Sequence, residues 1–195
     1  MAVFANALAA NGFKLREPPP QAEPTAIGRF GYAGTIASKE DVVVDCNTQA
    51  QYIGVSCNSP EKLVKSFDEV LGVLTRHDLL GGPLKEWFLE LQAHYEYWPP
   101  ESPIKLLGRM SSDCRVLRDF EKILDRKCSF REIRVVPESI NPDSADFFEV
   151  VMQPSPGRIT SSFEILVILR NEDQAFVKRF TEKVNETVSR LVDAL

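Results

Sequence analysis

The sequence predicts an α+β fold, with antiparallel sheet backed by long helices. Three observations carry that prediction. Runs such as VVVDC, YIGVSC and FEILVILR have the composition and alternation of strands. Apolar residues recur every three or four positions over two long stretches, as on helices. The strands stand in series, joined by polar connectors such as SKED and NTQA that are of hairpin length.

Taken in order, residues 3–11 make a short helix stopped by Asn11-Gly12, because Gly accepts the left-handed backbone past a helix end. FKLRE reads as a strand, and PPPQAEP then forbids regular hydrogen bonding for several residues. Three strands follow: IGRFGYAGTIA, VVVDC and QYIGVSC. Val42, Val44 and Cys46 share one face, as do Ile53, Val55 and Cys57. Asn58 or Ser59 caps a helix that has Pro60 and Glu61 in its first turn and Leu63, Phe67, Val70, Leu71 and Leu74 as its apolar stripe. Gly81-Gly82 breaks the chain, and PLKEWFLELQAHYEYW reads as a second helix ending at Pro99-Pro100. SPIKLLGRM reads as irregular. Ser111 or Ser112 then caps a helix to about residue 127, with Leu117, Phe120, Ile123 and Leu124 as its apolar side. Strands SFREIRVV, FFEVVMQ and SFEILVILR come next. A long helix closes the chain, its stripe being Phe176, Phe180, Val184, Val188, Leu191 and Leu195.

VKSFDEV at residues 64–70 and VKRFTEKV at residues 177–184 are nearly the same phrase, each after a strand. Over residues 58–71 against 171–184, five of fourteen positions are identical, Phe67/Phe180 and Glu69/Glu182 among them. Both halves also read as short helix, several strands, long helix. Two pseudo-symmetric α-β(3–4)-α units are therefore expected, residues 1–78 and 111–195, joined by a helical aromatic insert at 79–110. In element order alone this resembles the TATA-binding-protein-like topology, which implies helices backing a curved antiparallel sheet.

Composition narrows the function. The longest apolar runs are too short to span a bilayer. A net charge of −5 disfavours bulk attraction to nucleic acid or to an anionic membrane, although residues 98–195 carry 15 basic groups against 16 acidic, and residues 1–97 only 8 against 12. The four cysteines have neither disulfide-framework nor zinc spacing, which fits reduced thiols in a cytosol. His77, His94 and Cys114 stand isolated from one another in sequence, so no catalytic residues, metal ligands or cofactors are assigned.

Two features invite a partner. Trp87, Phe88, His94, Tyr95 and Trp98 crowd one predicted helix, where Leu84, Phe88, Leu91, Tyr95 and Trp98 form a stripe and Trp87 and His94 widen it. Tryptophan and tyrosine bring large contact area at low entropic cost. The second is a row of cations at Arg115, Arg118, Lys122 and Arg126, spaced three or four apart, which could track phosphates; the interleaved acids also fit a solvated, ion-paired face. The expectation is a non-enzymatic, cytoplasmic assembly or regulatory factor, self-associating or binding another protein through the aromatic segment. The alternatives are a nucleic-acid or ribosome-associated protein using the cation row, and a helix-grip small-molecule binder.

Overall fold

The computed structural model describes residues 2–16, 33–47, 51–77, 88–112, 114–139, 141 and 144–193. The chain divides into two units, residues 1–86 with 181–185 and residues 87–180 with 186–195. The fold is α+β: among the described residues there are five helices and two four-stranded antiparallel sheets.

In the first unit, helix α1 (Ala2–Ala10) precedes strands β1 (Lys14–Leu15), β2 (Ala33–Lys39), β3 (Val42–Asn47) and β4 (Tyr52–Ser56), and helix α2 (Pro60–Arg76) follows them. The strands pair in sequence order. Gly12 ends α1 with φ +84°, as its lack of a side chain permits. Val42, Val44 and Cys46 are buried on one face of β3, and Ile53, Val55 and Cys57 pack half-buried against the same core. That core is closed by Phe4, Ala7 and Leu8 of α1 and by Val70, Val73 and Leu74 of α2. Ser59 caps α2, its side chain accepting from the Lys62 N–H at 3.3 Å. The side chain of the same Lys62 reaches both acids of the β2–β3 turn, Glu40 at 2.7 Å and Asp41.

The second unit contains β5 (Leu89–Tyr97), α3 (Pro103–Ser112), α4 (Arg115–Leu124), β6 (Ile133–Val135), β7 (Phe147–Pro154) and β8 (Phe163–Asn171). Its sheet order is β5-β8-β7-β6, so β5 pairs with the strand farthest from it in sequence. Three expectations fail here. The described part of the segment predicted as an aromatic helix is a strand from residue 89 on. SPIKLLGRM is no irregular stretch but most of α3, opened by Pro103 at the first helical position and burying Leu106 and Leu107. The helix predicted from Ser111 or Ser112 to about residue 127 is the shorter α4, which starts at Arg115 and stops at Leu124, before Asp125 takes the left-handed conformation.

Helix α5 (Gln174–Asp193) is the expected closing helix with a rotated inner stripe, whose last expected member, Leu195, lies outside the described residues. Val177, Thr181, Val184, Val188 and Val192 are buried, whereas Phe176 is 40% exposed and Phe180 and Leu191 are half-buried. Compact β-branched side chains take the crowded line, and the phenyl rings flank it. Among the described residues no helix is long and apolar enough to cross a membrane.

Candidate functional site: an unguarded strand edge

Residues 89–97 alternate without a fault. Leu89, Leu91, Ala93, Tyr95 and Tyr97 interleave with Glu90, Gln92, His94 and Glu96. Period two places the first set on one sheet face and the second on the other. The pairing with β8 runs unbroken from Leu89 opposite Asn171 to Tyr97 opposite Phe163. The apolar set thus joins Phe163, Ile165, Val167 and Leu169, all buried. Leu91 is buried with them, and burial pushes the Tyr95 phenol up in pKa.

The polar face is held by two anchored acids. Arg170 donates from Nε to Glu90 at 2.8 Å and from Nη1 to the Ser144 carbonyl at 3.2 Å. Its guanidinium lies 4.7 Å from the Phe88 ring centre and 5.8 Å from that of Phe147, within cation–π range. At the other end of the strand Glu96 accepts from Arg158 at 3.1 Å and from the Ser162 hydroxyl at 2.8 Å. Between them Gln92 and His94 are exposed. His94 borders a shallow hollow of about 200 Å3, where Arg134 bridges Glu132 at 3.2 Å and Glu149 at 2.5 Å.

The sheet breaks open at β5. It is an edge strand, and no described strand pairs with its outer side. Edges are normally blunted by brevity, bulges, proline or lysine. β1 has two residues, β6 three and β4 five. β5 has nine, with no proline, no lysine and no break in register. Beyond its two ends sit Phe88, 43% exposed, and Trp98, 55% exposed.

The predicted partner residues are therefore arranged as a strand would arrange them. Phe88, His94 and Trp98 share the parity of the polar face, and Tyr95 belongs to the other. Trp87 and Leu84 lie outside the described residues. The signal for this arrangement was the strict alternation of residues 89–97.

Three of the four cations of the row lie on α4, where at 100° per residue Arg115, Arg118 and Lys122 fall within one 60° arc; Arg126 follows the left-handed Asp125, past the end of the helix. Lys122 pairs with Asp119 at 3.4 Å, and Glu121, held low in pKa by the Cys128 backbone N–H, pairs with Lys127 at 3.4 Å. α4 buries none of its residues: Val116, Phe120, Leu124 and Ile123, the last 77% exposed, form an apolar arc with Asp119 and Glu121 at its borders. Among the described residues no group of three His, Cys, Asp or Glu side chains is placed to hold a metal ion. No family model matches the chain, and no match is found among the curated proteins or the solved structures.

Proposed function

We propose that this chain is a non-enzymatic protein-binding factor, acting in the cytoplasm in assembly or regulation, and that its partner adds a strand to the outer edge of β5. The nine-residue unguarded edge is the observation that carries the reading. An added strand gains main-chain hydrogen bonds along the edge, and side chains of alternate parity supply specificity. Phe88 and Trp98 give the ends of that edge exposed aromatic area. The test is capture from a lysate of the source cells with the wild-type chain and with a Gln92→Lys/His94→Lys variant. Both positions are exposed, so the fold should tolerate lysine, while two guarding charges on the edge should abolish capture. Equal capture by both chains would sink the reading.

Nucleic-acid binding through Arg115, Arg118, Lys122 and Arg126 has one specific support, the arc that Arg115, Arg118 and Lys122 share on α4. The acids on the same helix weaken it. Binding of RNA whose affinity falls steeply with salt, and falls again in Arg115→Gln/Arg126→Gln, would favour it over the edge.

We propose also that the two units arose by duplication. β2-β3-β4-α2 and β6-β7-β8-α5 are both three-stranded meanders leading into a helix, which supports one ancestral unit. The fourth strand differs, lying beside β2 in one sheet and beside β8 in the other. Superposing the two meanders tests it: Phe67 should fall on Phe180.

A further inference from the structure

We infer that the strand added to β5 is β5 of a second copy of this chain, antiparallel to it across a two-fold axis at Ala93. The inference rests on the reading of β5 as a partner-binding edge and names the partner.

From residue 88 to residue 98 the chain is a chemical palindrome about Ala93. Phe88 mirrors Trp98, Leu89 mirrors Tyr97, Glu90 mirrors Glu96, Leu91 mirrors Tyr95, and Gln92 mirrors His94. A two-fold antiparallel pairing sets every residue opposite its mirror image, so each of these becomes a cross-strand pair. Leucine then meets tyrosine twice on the apolar face, and the exposed Phe88 meets the exposed Trp98 at each end. Aromatic and aliphatic pairs of this kind are the stabilising units of a sheet.

Register and charge agree with that axis. A one-residue slip would exchange the faces and lay apolar side chains over polar ones. Moving the axis to Gln92 or His94 preserves the faces but shortens the pairing and sets a polar side chain against its own image. The axis at Ala93 pairs all of β5. It also brings Glu90 opposite Glu96, and like charges directly opposite destabilise a sheet when unneutralised. Both acids already have their own counter-cations, Arg170 on Glu90 and Arg158 on Glu96.

The experiment combines sedimentation velocity with cross-linking. The wild-type chain should sediment as two chains, falling to one in Gln92→Lys/His94→Lys, which sets like charges opposite each other. With Cys57, Cys114 and Cys128 replaced by serine, Ala93→Cys should oxidise to a chain-to-chain disulfide, since facing Cα atoms of an antiparallel pair lie about 4.5–5.5 Å apart. Trp98→Cys, far from the axis, should not. A wild-type monomer with no Ala93→Cys cross-link overturns the second copy as partner, while the edge reading still answers to the capture experiment. A dimer that survives the lysines overturns β5 as its seam. A dimer broken by the lysines yet not linked through Ala93→Cys overturns the register.

Discussion

The two sheets of this protein are built from strands of like composition and end differently. The first is a meander in which every strand pairs with its sequence neighbour, and its outer strands are the short β1 and β4. The second recruits β5 from the far side of two helices to pair with β8, and leaves that nine-residue strand at the margin. In the first, the ends of the sheet are nearly used up. In the second, a long ladder of backbone donors and acceptors is held in register on one side, and no described strand pairs with the other. The difference teaches where to look for a partner: pairing capacity left over after folding, rather than a cleft.

Core truncations should give the largest effects and should strike both units. Phe163→Ala in β8 removes a side chain with no exposed surface and should cost about 3–5 kcal/mol in denaturant unfolding. Leu8→Ala, equally buried in the first unit, should cost about 2–5 kcal/mol. A loss under about 1 kcal/mol at either site would show that the unit's core is not as described.

The clamp at the end of β5 comes next. Arg170→Met takes from Glu90 its charged partner on a partly buried face and leaves it the Gln92 amide at 2.6 Å, and charged hydrogen bonds contribute roughly 1.5–3 kcal/mol. The first sheet offers a more exposed counterpart in Lys39–Glu69 at 2.8 Å, where Lys39→Met should cost roughly 0–1 kcal/mol. Equal losses would erase the contrast between a braced strand end and an ordinary surface pair.

On α5, Val184→Ala should cost about 2 kcal/mol, two buried carbons at about 0.8 kcal/mol each plus a small cavity. Phe176→Ala, although it deletes more atoms, should cost less, because its ring keeps 40% of its surface exposed. The reverse ranking would restore the phenylalanine stripe that the sequence suggests.

The smallest effect lies in the first unit's turn. Lys62 holds the Asp41 carboxyl below its usual pKa of 3.8. A depressed carboxylate pKa contributes stability above the unfolded value and loses it as pH falls through the folded one. Lys62→Met should therefore lower stability slightly at neutral pH, leave it unchanged at low pH where the carboxyl is protonated in either state, and so flatten the acid limb below about pH 3.8. An equal loss at acid and neutral pH would assign Lys62 a different role.

Much of the first unit could be read directly, because its determinants are local. Ser59 before Pro60, Gly12 after a helical run, and the alternation of Val42, Val44 and Cys46 each specify structure within a few residues. The aromatic segment misled because two periods overlap in it. Leu91 and Tyr95 stand four apart, which suits one helix face and one strand face alike, and the Leu, Glu and Lys around them favour helix. What decides is β8, some eighty residues away, which offers Leu89 to Tyr97 a complete row of partners. That pairing is invisible to a local window, although the unbroken alternation of residues 89–97 hinted at it. The inner face of α5 was misjudged for a similar reason: a helix carrying both phenylalanine and valine rows is turned by what packs against it.

Residue-resolved amide hydrogen exchange along β5 tests the central claim most directly. A bare edge strand protects only the alternate amides that bond to β8, and the outward ones exchange freely. In the wild-type chain at associating concentration, every amide from Leu89 to Tyr97 should be protected, and the outward half alone should lose protection in Gln92→Lys/His94→Lys. Fast exchange of the outward amides in the wild-type chain, unchanged by the lysines, would contradict the account.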